Sequence, residues 1–224
     1  MPLRPTLVTG VTALILLTAG VVGFSSYLSS RRAVASLWHR AASETGQRVA
    51  QRTLRYLEPA VPYAKLTTEL AEEGKLDPQN REALIEYLRS AVVANPSFTW
   101  ASWGGADGAY IGVFRTPSGA LQASWREVQG VDGNGKVLTR WRDFQLDQDG
   151  KWTVLKDVPD PYDPRTRPWY QAAASKKRGV WIEPFLFTSH QQPGFTYATP
   201  LLVKGELRGV FAVEFEVSYL SQFL

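Results

Sequence analysis

Nine consecutive residues concentrate the recognition chemistry of this chain: Tyr162-Asp163-Pro164-Arg165-Thr166-Arg167-Pro168-Trp169-Tyr170. Each guanidinium presents a fixed fork of donors that matches a carboxylate or phosphate. Three aromatic rings supply flat walls, and two prolines restrict the backbone that carries them. Together these suit a stiff rim around a small anionic or zwitterionic ligand. The same residues also fit a solvated turn that opens a helix, with Pro168, Trp169 and Tyr170 as packing. In that second reading Arg167 pairs with Asp163 or Glu183 and only holds the loop.

Reactive groups are scarce elsewhere. The 224 residues include no cysteine, which excludes disulfides, thiol catalysis and zinc–sulfur sites. The two histidines, His39 and His190, are far apart in sequence and form no ligand cluster; His39 sits in a helical stretch and His190 in a loop. Asp132-Gly133-Asn134-Gly135 is a hairpin turn, since a calcium loop needs greater length and a terminal glutamate. No nucleophile elbow, phosphate-binding glycine loop or zinc-protease motif is present. The sequence therefore predicts no catalytic residue, no metal and no cofactor. Lys and Arg total 25 against 21 Asp and Glu, a net charge of +4. The charges are interspersed, which indicates a solvated surface and no nucleic-acid partner.

The elements that must position the rim follow from hydrophobic period. With 44% hydrophobic residues, the length allows one ordinary core plus an anchor. Pro5 to Ser30 carries no charge, and residues 7–28 are long and apolar enough to cross a bilayer as a helix. Ser25 to Ser30 fits a signal-peptide cleavage site poorly, so the span is expected to stay as an anchor. Ala19 and Gly23, four apart, could pack one span on another. Ala33, Val34, Leu37, Trp38 and Ala41, then Val49, Leu54 and Leu57, predict a long amphipathic helix. Pro59 and Pro62 should kink it, and 63–73 should resume it up to Gly74. Asp77-Pro78 predicts the cap and first residue of a further helix ending near Ala94. From Phe98 the period falls to two. Strands are expected at 98–103, 109–114, 121–125, 137–141, 195–203 and 206–217, with glycine turns between, including one at Asp149-Gly150. Ser218 is expected to cap a terminal helix. The outcome is an α+β fold: a shallow antiparallel sheet of about five strands flanked by helices.

The run Tyr162-x4-Arg167-x-Trp169-Tyr170 resembles the signature of Cache domains, PAS-like extracytoplasmic sensors of bacterial signalling receptors. Trp181-Ile182-Glu183-Pro184-Phe185 follows at the family's spacing. Gly194 to Pro200 and Gly205 to Val213 resemble its closing hairpin. The resemblance spans roughly 31–224 and is most specific from 162 onward. It implies a membrane-distal module of a double Cache receptor. Residues 1–30 would be the cytoplasmic tip and transmembrane anchor, 31–73 the membrane-emergent helix and 74–224 the sensor. A second module, a second span and an output domain, such as a kinase or nucleotide cyclase, would follow. It places the body outside the inner membrane, although Arg31, Arg32 and Arg40 after the span outnumber Arg4 before it, which by short-loop bias points inward. It also implies a homodimer through the long helix.

For the site, the resemblance implies that Arg167 grips a ligand carboxylate while Tyr162, Trp169 and Tyr170 wall the pocket. Amino-acid-sensing relatives hold the ligand's ammonium with a tyrosine and an aspartate after the Glu-Pro pair and an aspartate on the last strand. Here those positions are Phe185, Phe187 and Glu214. The expected ligand is thus a small carboxylate, an amino acid or an amine, with Glu214 alternatively a plain outward-facing strand residue. The expected function is a ligand-binding sensor module that signals through the long helix. The alternatives are a membrane-anchored periplasmic hydrolase using Asp163 and Glu183, or a dimerisation stalk that binds nothing.

Overall fold

The computed structural model describes residues 3–131, 133, 137–147, 151–186 and 192–223, with residues 3–9, 13, 15, 28, 32–41 and 221–223 described by their backbone alone. Phe187, His190, the turn at 149–150 and all of the 132–135 turn except Gly133 lie outside the described residues, and the His39 side chain does too. Two compact units emerge, Met1–Gln51 and Arg52–Leu224. The first holds helix α1 (Leu3–Leu57) as far as Gln51, and its segment Gly10–Arg31 is long and apolar enough to cross a membrane.

In the second unit the prolines act as a break rather than a kink. Helix α1 stops at Leu57, Pro59 occupies the cap position, and α2 (Ala60–Glu72) starts anew with Pro62 in its first turn. There a missing N–H costs nothing, because the first four amides of a helix have no intrahelical acceptor. Helix α2 ends just before Gly74, at φ +71°. The next helix, α3 (Arg81–Ala94), begins later than the sequence suggested. Asn80, not Asp77, is its cap, accepting from the Ala83 N–H at 3.1 Å. Asp77 instead accepts from the Gln79 N–H at 2.9 Å, which folds Pro78 into a local turn.

Among the described residues one antiparallel sheet of eight strands follows, rather than about five. Its strands are β1 (Trp100–Gly105), β2 (Tyr110–Arg115), β3 (Leu121–Val131), β4 (Val137–Leu146), β5 (Trp152–Pro159), β6 (Val180–Leu186), β7 (Pro193–Val203) and β8 (Glu206–Glu216). The spatial order is β5-β4-β3-β2-β1-β8-β7-β6, so the first and last hairpins meet where β1 pairs β8. A terminal helix α5 starts at Val217. Ser218 lies within it, and its hydroxyl donates to Glu216 Oε2 at 3.0 Å instead of capping the helix.

Alternation along the strands assigns the two faces. Ala101, Trp103, Val113, Ala123, Phe211, Val213 and Phe215 point to one face, where Leu84, Leu88 and Val92 of α3 close the main core. Phe98 and Phe215 meet edge to face at 5.4 Å, and Tyr63 of α2 meets Phe98 at 5.2 Å. Full burial of a side chain such as Leu88 stabilises the fold by roughly 1.5–3 kcal/mol. A ladder of charges ties the outer hairpins to α3. Arg81 pairs with Glu127 at 3.0 Å, Glu127 with Arg142 at 3.2 Å, Arg142 with Asp157 at 3.3 Å, and Asp157 with Arg140 at 2.5 Å.

The opposite face is only partly covered. A 3-10 turn (Pro164–Thr166) and helix α4 (Pro168–Lys176) pack Trp169, Tyr170 and Ala173 onto Tyr110, Val180, Ala198, Val210 and Ala212. The docking is close because β1 carries Gly104 there. A Cβ at that position would sit 2.8 Å from Trp169 Cη2 and 2.9 Å from Pro164 Cβ.

A cleft between two aromatic rows

Three cross-strand rows shape the uncovered part of this face. In the first row Glu214, Trp100 and Phe114 are register partners on β8, β1 and β2. In the third, Tyr110, Arg126 and Trp141 run across β2, β3 and β4. Between them lies a row of small residues, Ala212, Ser102, Gly112 and Ser124, which continues to Asp143. Large residues on both sides of a small-residue floor make a groove. Gly112 is essential to its geometry, since a Cβ there would lie 2.3 Å from Trp100 Nε1 and 2.6 Å from the Tyr110 hydroxyl. The 3-10 turn, the start of α4, and Phe185 from β6 complete a cleft of about 1040 Å³.

Arg167 sits in the extended linker between the 3-10 turn and α4, at φ −86° and ψ 145°. Its guanidinium carbon lies 4.4 Å from the centroid of the Tyr162 ring. Its Nε is buried without a hydrogen-bond partner among the described residues. The expected internal partner is engaged elsewhere. Asp163 accepts from the Arg165 N–H and binds the Arg165 guanidinium at 2.7 Å, and that contact holds its carboxyl below the usual range. Glu183 is exposed on β6. A buried guanidinium N–H without an acceptor is costly unless something outside the chain supplies one.

Glu214 lines the same cleft rather than pointing to solvent. Burial raises its carboxyl to about 8, and repulsion from Glu216 adds to the shift. Tyr162 rests against both Tyr110 and Trp141, at 5.3 and 5.1 Å, and burial raises its hydroxyl pKa further, with the Glu214 charge contributing. Arg167, Tyr162, Trp169, Phe185 and Glu214 thus share one cleft. Tyr170 does not. Its ring packs on Trp169 at 5.7 Å and approaches Gly104, outside the cleft lining. Helical periodicity accounts for this, because residues adjacent in a helix point about 100° apart.

Trp100, Tyr110 and Trp141 were not singled out by sequence. The signal was present in the alternation Trp100-x-Ser102-x-Gly104 and Tyr110-x-Gly112-x-Phe114, where bulky and small residues share one face. Among the described residues no cluster of His, Asp or Glu has metal-binding geometry.

Comparison with known proteins agrees with this architecture. Residues 140–222 match the family model of the methyl-accepting chemotaxis protein-like first PDC sensor domain, PDC being the Cache class. The methyl-accepting chemotaxis protein PscA of Pseudomonas syringae pv. tomato is 32% identical over 66 residues, which are 30% of this chain and 10% of the relative. The solved ligand-binding domain of the Pseudomonas aeruginosa amino acid chemoreceptor PctC, in complex with GABA, superposes with a TM-score of 0.52 at 19% identity, over 82% of this chain and 66% of that one. The ligand-binding domain of Mlp24 with asparagine gives 0.53 at 22% identity, over 87% and 63%. The chain thus spans less than two thirds of these relatives.

Proposed function

We propose that this chain, a Cache-type sensor domain, is the ligand-binding module of a membrane signalling receptor and that it takes a small carboxylate, amino acid or amine. Arg167 binds the carboxylate, Tyr162, Trp169 and Phe185 enclose the body, and Glu214 faces any cationic group. The observation that carries this reading is the Arg167 Nε, buried in the cleft with no acceptor among the described residues while Asp163 is committed to Arg165. That two solved relatives hold GABA and asparagine supports a ligand of this size and charge.

In this reading Gly10–Arg31 anchors the chain and the body lies outside the inner membrane. The long helix pairs with that of a second copy, and ligand binding biases the pair toward one of two arrangements. A hydrolase built on Asp163 and Glu183 has less support. Asp163 is held ionised by Arg165, and among the described residues no nucleophile, base and orienting group converge in the cleft.

Thermal-shift screening of the full chain in detergent against small carboxylates, amino acids and amines tests the reading. A hit should lose affinity at least about thirtyfold in Arg167→Ala, because a buried charge-assisted contact is worth about 2–5 kcal/mol. Arg167→Lys should rescue poorly, since a point charge lacks the fork. A ligand that binds wild type and Arg167→Ala alike refutes the site. A reporter fused after Leu224 should be active outside the cytoplasm.

A further inference from the structure

We infer that Asp143 is a positioning residue of the cleft: by holding the Trp141 indole it fixes the aromatic platform on which the Arg167 guanidinium rests. This role presupposes the Arg167 site proposed above and adds a residue that acts without touching the ligand. Trp141 is only half-buried on an open sheet face. A ring in such a place has several staggered positions available, so packing alone does not orient it.

Asp143 supplies the orientation. It lies two residues from Trp141 on β4, and both side chains therefore line the cleft. Asp143 Oδ1 accepts from the Trp141 Nε1–H at 2.6 Å and from the Ser124 hydroxyl at 2.5 Å. Ser124 is buried and is the register partner of Asp143 on β3, so the carboxyl is itself held from the neighbouring strand. An indole has a single donor, and Asp143 is the acceptor that engages it.

From there each contact carries the next. The Trp141 ring stacks on Tyr110 at 5.4 Å with 20° between the planes, and it meets Tyr162 edge to face at 5.1 Å. Tyr162 meets Tyr110 in the same way at 5.3 Å, so the three rings brace one another. The Arg167 guanidinium lies 4.4 Å from the Tyr162 centroid. Asp143 therefore reaches Arg167 through Trp141 and Tyr162 in turn. The backbone of Tyr162 is held separately, its N–H donating to Asp160 Oδ1 at 2.7 Å. What Asp143 governs is the orientation of the rings, while Asp160 fixes the path of the loop.

Nuclear magnetic resonance of the full chain in detergent, labelled with 15N-arginine, tests this without a ligand. The Arg167 Nε–H signal, assigned by its loss in Arg167→Lys, reports the ring current of Tyr162. It should move toward the position of an exposed arginine in Asp143→Ala and in Trp141→Phe, which lacks the indole donor. It should stay near wild type in Asp143→Asn, which keeps an acceptor oxygen, and in Ser124→Ala, which keeps the Trp141 bond. Isothermal titration with 4-aminobutanoate, the GABA that the PctC domain holds, extends the test to binding. Affinity should fall at least about threefold in Asp143→Ala, and Asp143→Asn should restore it. In a Trp141→Phe background Asp143→Ala should cost nothing further, because the bond is already broken. An unchanged Arg167 signal in Asp143→Ala overturns the inference. So does a further loss of affinity in the double variant, which marks a direct contact between Asp143 and the ligand. Should the Arg167 signal move as expected while Arg167→Ala binds 4-aminobutanoate as wild type does, the platform stands and the Arg167 site fails.

Discussion

Substituting Gly104 by alanine tests the logic by which the cleft is assembled. The new methyl would lie 2.8 Å from Trp169 Cη2 and 2.9 Å from Pro164 Cβ. Carbon atoms pack at about 3.5–4.0 Å, so the 3-10 turn and the start of α4 must retreat by roughly 1 Å. The ring cannot yield alone, because Trp169 is buried between Tyr170 and the sheet. Overpacking of this kind costs about 1–3 kcal/mol. For a body of this size that is roughly 2–4 °C in Tm per kcal/mol, or about 2–12 °C in all. The displacement also carries Arg167, which is covalently next to Pro168. Ligand affinity should therefore fall more than stability alone accounts for, and Gly104→Ser should behave similarly. Differential scanning calorimetry of the full chain in detergent measures the first effect, and titration of a screening hit measures the second. Gly46→Ala is the control, since a Cβ there meets nothing within 4 Å. It should leave both unchanged or raise Tm slightly. If Gly104→Ala melts and binds as wild type does, the docking of α4 on β1 does not position the site.

Two further outcomes follow from electrostatics. Burial raises the Glu214 carboxyl to about 8, above the ordinary 4.5 of an unfolded chain, so the folded state holds the proton more tightly. This stability is fully present below about 4.5 and is lost as pH rises through about 8, so the gain in Tm from Glu214→Gln should be larger at pH 8 than at pH 5. A cationic ligand favours the ionised carboxyl, so its affinity should rise with pH across the same window; a flat profile contradicts the burial of this group. Asp157 joins Arg140 and Arg142 at the outer hairpins, but about a third of each side chain stays exposed. Asp157→Asn should therefore lower Tm only slightly, and melts in 1 M salt should erase most of the difference.

Much of this architecture is legible in the sequence, and the exceptions have local causes. Period-two alternation marks β1, β2, β7 and β8, because each has one face on the main core and the other on the cleft or on α4. The strand β6 escapes notice because Pro184 interrupts it, and it forms only because it is an edge strand, where a missing donor is tolerated. The opposite edge, β5, carries a bulge opposite Asp143 and Phe144 that shifts its period. Asn80 displaces Asp77 as a cap because the Asp77 carboxylate accepts from the Gln79 N–H in a local turn. The rim at 162–169 could be named as a binding element from composition and resemblance. Its opposite wall could not, since Trp100, Tyr110 and Trp141 come from three strands whose register is a long-range property. Tyr170 shows the converse limit: membership in a motif does not say which way a side chain points.

The central claim is that the uncommitted Nε of Arg167 awaits a ligand carboxylate. A crystal structure of the chain with its strongest thermal-shift ligand tests it most directly. The account predicts a carboxylate oxygen within about 3 Å of Arg167 Nε, with the ligand's body against Tyr162 and Trp169. A ligand bound outside this cleft, or bound within it while the Arg167 Nε stays without an acceptor, would contradict it.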